Sequence, residues 1–150
     1  MQRAIALSVE NVASGRGGPF AAVVVRAGRI IGEGTNRVTS TNDPSAHAEV
    51  IAIRAACAQL ENFQLTGCEL YTSCEPCPMC MGLVYWAHLD KVYYASSASD
   101  AASIGFDDAF IYQELKLPLE RRSLPLVQTM RDEALAAFAA WRDKPDKVEY

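Results

Sequence analysis

The chain has 150 residues, half of them apolar, and a formal net charge of −4. This length corresponds to one domain around a single hydrophobic core, and the acidic balance, with no basic run longer than Arg121-Arg122, argues against a nucleic acid partner. We therefore predict a single domain, residues 1–150, that acts on a small molecule.

The N-terminal residues 3–14 place Ile5, Val9 and Val12 at helical spacing, which predicts a surface helix. The apolar run within this segment is too short for a signal-peptide core or a membrane span. The five cysteines are odd in number and do not have the spacing of a disulfide framework. We therefore expect a reducing compartment, the cytoplasm, and no membrane partner.

A β-hairpin and a helix are predicted next. Residues 20–25 and 29–34 are rich in valine and isoleucine, and they flank Arg26-Ala27-Gly28, a turn signal between two strands. A polar loop then leads to a helix whose start signal lies at Asp43-Pro44 or Ser45.

The alternation of helices and strands continues through the second half of the chain. A short strand is predicted at residues 69–73, a helix after Cys77, a strand at 91–95 and a possible edge strand at 126–129, with further helices at 109–115 and 133–141. This order predicts an α/β fold: a three-layer α/β/α sandwich with a central mixed sheet of about five strands.

The densest chemical motif is Cys-Glu-Pro-Cys-Pro-Met-Cys at residues 74–80. Pro78 suits the first position of a helix, which puts Cys77 at the N-cap and Cys80 on the same face of the first turn. The positive end of the helix dipole favours thiolates there. Two thiolates on one face predict a metal such as Zn²⁺, which needs at least one further protein ligand if water holds the fourth position.

The further ligand is predicted to be His47. Residues two apart on a helix point to nearly opposite sides, so His47 and Glu49 can address one point only if it lies beyond the helix end. We therefore expect two helix N-termini to converge on one ion, with a fourth position open for water whose pKa the metal lowers. Glu49 precedes a largely apolar helix, where a carboxylate needs a partner or a role, and we predict that it is the general acid and base.

The same residues allow a second interpretation, a structural zinc site closed by His47, Cys74, Cys77 and Cys80. That arrangement leaves Glu49 buried without a role. The pattern His-x-Glu with a later Pro-Cys-x-x-Cys is the signature of zinc deaminases, in which the glutamate is not a ligand. The sequence therefore favours a catalytic site with one Zn²⁺ per chain.

Over essentially its whole length, the chain resembles the bacterial guanine deaminases of the cytidine deaminase superfamily. The segments that carry the resemblance are residues 17–20, 47–49, 71–80, 85–87, 105–108 and 149–150. The metal motifs identify only the superfamily, whereas the 105–108 loop and the terminal tyrosine are narrower markers. The resemblance implies hydrolysis of guanine to xanthine and ammonia in purine catabolism or salvage. Hydroxide on the zinc would attack the amine-bearing ring carbon while Glu49 carries the protons.

The resemblance also implies roles around the substrate. Asp108 would be a second catalytic residue at the purine edge, and Asn36 the amide that recognises the base, because an amide can both donate and accept hydrogen bonds. The remaining substrate-binding residues that it implies are Phe20, Ala48, Trp86, Phe106 and Tyr150. Phe20, Trp86 and Phe106 would flank the purine ring, and Tyr150 would close the pocket.

In the guanine deaminases the C-terminal segment is exchanged between two subunits, which implies a homodimer with roughly residues 126–150 exchanged. From the residues alone, each of these roles has an alternative. The aromatic residues could belong to the core, Asn36 could form a turn, the aspartates could cap the helix at Ala109, and the C-terminus could be frayed.

Other functions stay open as well. They are a guanosine or aminotriazine (ammeline) deaminase, a tRNA adenosine deaminase, which needs a basic surface, and a zinc-binding module without turnover.

Overall fold

A computed structural model describes residues 1–149 of the chain. Contacts group the chain into two compact units, Met1–Asp108 and Ala109–Tyr150, which are described separately. The helices of the first unit are α1 (Gln2–Ala13), α2 (Val38–Thr41), α3 (Ala48–Leu60), α4 (Pro78–Trp86) and α5 (Ala98–Ser103). Its strands are β1 (Ala21–Arg26), β2 (Arg29–Thr35), β3 (Cys68–Cys74) and β4 (Lys91–Ser96).

The four strands form one mixed sheet in the order β2-β1-β3-β4. Strand β1 is antiparallel to both β2 and β3, and β3 is parallel to β4. The β1–β2 hairpin turns at Ala27 and Gly28, whose φ angles of 48° and 74° are both positive, as a type I′ turn requires. The predicted hairpin and the mixed sheet are confirmed, with four strands instead of about five.

The sheet is covered by helices on both faces. Ala22 and Val24 of β1 belong to the buried cluster that includes the apolar face of α3. Ala21 and Val23 point to the opposite face because side chains alternate along a strand, and they are equally buried. Helix α1 also packs on β1. The predicted layered α/β architecture is therefore confirmed.

Helix α3 lies unusually close to β2. A Cβ atom at Gly34 would overlap the carbonyl oxygen of Ala48, so only glycine permits this approach. The first turn of α3 is thereby fixed against the sheet. Strand β3 ends at Cys74, four residues before α4 begins at Pro78, and this short connection brings the start of α4 to the carboxyl end of β3.

The predicted start of the second helix was placed too early. Helix α3 begins at Ala48, with His47 as its N-cap residue. The expected start signal forms a separate turn, in which the Asp43 carboxylate accepts hydrogen bonds from the Ser45 backbone N–H at 2.8 Å and its hydroxyl at 2.7 Å. Aspartate side chains offer the backbone this alternative to a helix start.

The second unit contains α6 (Ala109–Lys116), a 3₁₀ turn (Leu119–Arg121) and α7 (Arg131–Asp143), which confirms both predicted helices. The edge strand predicted at residues 126–129 is wrong. That segment joins no sheet within residues 1–149, and Val127 is 83% exposed. A strand needs a hydrogen-bonded neighbour to persist. No helix in this described part of the chain has the length and apolar character needed to cross a membrane.

Candidate metal centre and adjoining cavity

Two helix N-termini converge on one point, as the sequence predicts. His47 is the N-cap residue of α3 and Cys77 the N-cap residue of α4, each with extended backbone. His47 Nδ1 lies 3.5 Å from Cys77 Sγ and 3.6 Å from Cys80 Sγ. The three ligand atoms all lie within 4.8 Å of one another.

This donor set fits a zinc ion. One imidazole nitrogen and two sulfurs are ligands that zinc prefers, and typical zinc bond lengths in a tetrahedron separate nitrogen from sulfur by about 3.6 Å. Cys74 does not belong to the group that the structure brings together in residues 1–149. Its thiol donates a hydrogen bond to the Ser97 carbonyl at 3.5 Å. The geometry therefore favours three protein ligands over a closed four-ligand site.

The protonation of the three ligands is tightly linked. The neighbouring Cys80 and His47 side chains lower the pKa of Cys77 to about 4. The same interaction with Cys77 raises the pKa of Cys80, which keeps its proton. The hydrogen bond to Cys77 also raises the pKa of His47. Because a metal binds deprotonated ligands, zinc binding here releases protons.

Glu49 lies beside the metal ligands in the first turn of α3 and is only 7% exposed. Its Oε1 accepts a hydrogen bond from the Thr72 hydroxyl at 3.1 Å, and its Oε2 accepts one from the Cys80 thiol at 3.4 Å. Burial raises the pKa of Glu49. A raised pKa favours proton uptake by this carboxyl group, as a base that later acts as an acid requires.

A cavity of about 350 Å³ opens onto these residues, within the size range of small-molecule sites. Most of the site residues predicted from the sequence line this cavity, namely Phe20, Asn36, His47, Ala48, Glu49, Cys77, Phe106 and Asp108. Cys80 is fully buried behind them. Tyr150, the predicted closing residue, lies outside the described residues.

The aromatic wall differs from the prediction. The rings of Phe20 and Phe106 contact each other edge to face, with centroids 4.9 Å apart. They form one wall, and no planar substrate fits between them. Trp86 does not line the cavity and is 62% exposed. It ends α4, and a helix rises 1.5 Å per residue, so its backbone lies about 12 Å along the axis from the metal end.

The cavity is acidic. Four carboxyl groups line it, from Glu49, Glu75, Asp107 and Asp108, and none of its described lining residues is lysine or arginine. Burial raises the pKa of Asp108, and the neighbouring Cys77 thiolate adds to the effect. Glu75 accepts a hydrogen bond from the Ala98 backbone N–H at 3.0 Å. Such a lining disfavours phosphate groups and suits a neutral ligand rich in hydrogen-bond donors.

Thr72 is a residue of the site that the motifs do not reveal, although the strand pattern contains a signal for it. Thr72 pairs with Ala22, and Leu70 pairs with Val24, so all four residues share the sheet face that packs on α3. A hydroxyl on a buried strand face requires a polar partner. That partner is Glu49, the acid that follows the predicted ligand His47.

Comparisons with known proteins agree with this geometry. Residues 1–96 match the family described as "Cytidine and deoxycytidylate deaminase zinc-binding region". The guanine deaminase of Bacillus subtilis is 54% identical over 150 residues, which cover 100% of this chain and 96% of that protein. A crystal structure of guanine deaminase from Bacillus subtilis superposes with a TM-score of 0.96, covering 99% and 95% of the two chains.

A more distant relative has a different substrate. The tRNA-specific adenosine deaminase of Haemophilus influenzae is 34% identical over 137 residues, which cover 87% of this chain and 76% of that protein. Its sequence identity to this chain, 34%, is lower than the 54% of the Bacillus subtilis guanine deaminase. Similarity at this level therefore extends to proteins with different substrates, so the cavity is needed to choose between them.

Proposed function

The chain belongs to the zinc-binding cytidine and deoxycytidylate deaminase family, and on that premise we propose that it hydrolyses guanine to xanthine and ammonia. The observation that carries this proposal is the position of Glu49, buried between Thr72 and the three metal ligands at the floor of an acidic cavity. Full-length identity of 54% to a guanine deaminase supports the choice of base.

The metal is held by His47, Cys77 and Cys80. When bound, zinc supplies a Lewis acid that makes water a nucleophile near neutral pH. Glu49 accepts one proton from the attacking water and delivers it to a ring nitrogen, and it then carries a second proton from the newly added hydroxyl group to the departing amine. The carbon–oxygen bond forms first, by addition across the carbon–nitrogen double bond of the ring, and the bond to the amine breaks second as the carbonyl group forms, so that ammonia leaves. Thr72 holds Oε1 of the carboxyl group, which leaves Oε2 on the side of Cys80 and the metal.

The cavity walls orient the base. Asn36 binds the purine edge, Ala48 lies under the ring between the metal ligand and Glu49, and the Phe20–Phe106 wall contacts the ring from one side. Asp108 assists at the purine edge, and the raised pKa of its carboxyl group allows it to exchange a proton. We assign no substrate contact to Trp86, because it does not line the cavity.

The acidic lining weighs against the rival substrates that carry phosphate. A tRNA adenosine deaminase binds a polyanion, which requires a basic surface around the site. Here four carboxyl groups surround the cavity and the chain carries a net charge of −4. Guanosine and ammeline carry no phosphate, so these two remain the rivals that need a direct test.

A side-by-side assay tests the choice of substrate. Ammonia release is measured from guanine, guanosine, adenine, cytosine and ammeline with the zinc-loaded protein. We expect the highest kcat/KM for guanine, because the cavity of about 350 Å³ suits a single bare base and offers several acceptors for its N–H groups. A higher kcat/KM for guanosine or ammeline would transfer the proposal to that substrate, and no ammonia from any of the five would reject it.

We also propose that the protein acts as a homodimer in which roughly residues 126–150 are exchanged, so that both units serve one deaminase domain. None of residues 109–149 is buried. The large apolar side chains exposed in this unit are Phe110, Ile111, Tyr112, Leu115, Leu119, Leu124, Leu126, Val127, Met130, Leu135, Phe138, Trp141 and Val148. A unit of this size cannot maintain a core of its own, so a second copy of the chain is the proposed cover.

The mass of the protein in solution tests the dimer. Multi-angle light scattering at micromolar concentration is expected to give twice the chain mass of 16.3 kDa. The apolar area exposed by the second unit is the physical reason, because exposed patches of this extent mark interaction surfaces. A single-chain mass at that concentration would contradict the exchange.

We propose the cytoplasm as the compartment of the protein. The five cysteines, all of which lie in the described part of the chain, are free thiols. Two of them must stay reduced as zinc ligands. A reducing compartment meets that need.

A further inference from the structure

The amide of Asn36 has a fixed orientation. Its Oδ1 accepts hydrogen bonds from the backbone N–H of Gly18 at 3.3 Å and of Val38 at 3.4 Å. Backbone N–H groups only donate, so the oxygen must face them and the nitrogen must face away. No described residue accepts a hydrogen bond from Nδ2, and Asn36 lines the cavity. Asn36 therefore offers the ligand donors only, which corrects the expectation that its amide both donates and accepts.

Asn11 of α1 fixes the backbone that carries this amide. Asn11 is 0% exposed, and its Nδ2 donates to the carbonyl oxygens of Gly18 and Asn36, both at 2.9 Å. Since both partners are carbonyl groups, the nitrogen must face them. The Oδ1 of Asn11 is buried without a hydrogen-bond partner among residues 1–149. Leaving an acceptor unpaired costs free energy, so the two donations are what hold the residue in place.

The loop before β1 packs directly on the same carbonyl. A Cβ atom at Gly17 would overlap the carbonyl oxygen of Asn36, so only glycine allows this contact. The residues that contact Asn36 in this way are Asn11, Gly17, Gly18 and Val38. Apart from the donation of Asn11 to the Gly18 carbonyl, each of these contacts reaches either the backbone or the side-chain oxygen of Asn36, and none uses its Nδ2.

We propose that Asn11 is a positioning residue that determines substrate recognition through Asn36. Its two donations hold Gly18 and Asn36 together, and Gly18 in turn holds the Asn36 oxygen. The Asn36 N–H groups are thereby aimed into the cavity, where they select a ring that presents an acceptor, the carbonyl oxygen or an imidazole nitrogen of a purine. This inference rests on the proposed deamination of a purine base.

A double-mutant cycle between Asn11 and Asn36 tests the proposal. Asn11→Leu removes both donations while keeping the branched shape and the number of heavy atoms of the side chain, and Asn36→Ala removes the amide. In the parent background, Asn11→Leu should lower kcat/KM for guanine by about 10- to 100-fold, mainly through KM. In the Asn36→Ala background, it should change kcat/KM less than about 2-fold, because the group that it positions is gone. Affinity for xanthine, measured by calorimetry, should follow the same pattern.

Two controls separate positioning from a general structural role. Ser8→Ala removes a hydroxyl from the same buried side of α1, where it donates only to the Ile5 carbonyl, and it should leave KM and xanthine affinity unchanged. Zinc content should stay at one per chain in every variant. Asn11→Asp, which keeps the shape but replaces the donor with an acceptor, takes the place of Asn11→Leu if the latter fails to bind zinc.

Two outcomes overturn different claims. The positioning role of Asn11 would be overturned if Asn11→Leu lowered kcat/KM by the same factor in the parent and Asn36→Ala backgrounds. An unchanged KM in Asn11→Leu would also overturn it. If the parent protein releases no ammonia from guanine, the proposed function fails instead. In that case the affinities of the four proteins of the cycle for xanthine and guanine can still be compared. If Asn11→Leu lowers those affinities equally in the parent and Asn36→Ala backgrounds, the positioning role of Asn11 is rejected as well.

Discussion

Replacing Glu49 by glutamine is expected to lower kcat for guanine by about 10²- to 10⁴-fold while the protein keeps one zinc per chain. Glutamine has the shape of the glutamic acid side chain and can still accept the hydrogen bond from Thr72. It cannot take up and release a proton, so the transfer from water to the ring and the amine is lost. Steady-state ammonia release and the metal content of the purified protein measure the two effects.

Glu10→Gln is the matched control for this substitution, because Glu10 is an exposed residue of α1. It should leave both kcat and zinc content at the parent values. Turnover of guanine by Glu49→Gln at the parent rate would show that Glu49 is not the acid and base. Loss of zinc from Glu49→Gln would instead show that the carboxyl group helps to hold the metal site together.

Cys80→Ser is expected to lose zinc and, with it, all measurable turnover. Cys80 supplies one of three ligand atoms and is fully buried, so no other side chain can move in to replace its sulfur. Serine is a poor ligand for zinc at neutral pH because its hydroxyl stays protonated. Metal content after dialysis against a chelator, measured by inductively coupled plasma mass spectrometry, gives the result.

The control for Cys80→Ser is Cys57→Ser, at a half-buried thiol of α3 that donates to the Phe63 carbonyl. This variant should keep one zinc per chain and the parent kcat. If Cys80→Ser retains one zinc per chain through the same dialysis, the three-ligand set is wrong.

Local chemistry accounts for what the sequence predicted well. Pro78 starts α4 and makes Cys77 its N-cap residue, because a missing N–H costs nothing at that position. Ala27-Gly28 turns the β1–β2 hairpin for an equally local reason. The spacing of His47 and Glu49 required a site beyond a helix end, and the N-cap position of His47 provides it. The family resemblance, now confirmed, supplied the choice of guanine.

Long-range packing accounts for what the sequence could not predict. An apolar stripe usually marks the packed side of a helix, yet Ile5, Val9 and Val12 of α1 are exposed while Asn11 is fully buried. The reason lies seven and twenty-five residues away along the chain, in the carbonyl groups of Gly18 and Asn36 that only a side-chain donor can satisfy. No local pattern contains that information.

The aromatic residues illustrate the same limit. Phe20 and Phe106 lie far apart in the sequence, and only the fold shows that their rings contact each other and share one wall. Trp86 follows the metal motif closely in sequence, but the axial rise of α4 carries it away from the cavity. Proximity along the chain was therefore a poor guide to which aromatic residues face the ligand.

The proposed mechanism requires a metal that would be held by three side chains, His47, Cys77 and Cys80, and would keep a further position for water. The most direct measurement is the zinc content and guanine turnover of Cys74→Ser, whose hydroxyl can still donate to the Ser97 carbonyl as the thiol does. We predict one zinc per chain and kcat within about 3-fold of the parent, because Cys74 lies outside the ligand group. Loss of zinc from Cys74→Ser would identify a fourth protein ligand and contradict the proposed mechanism.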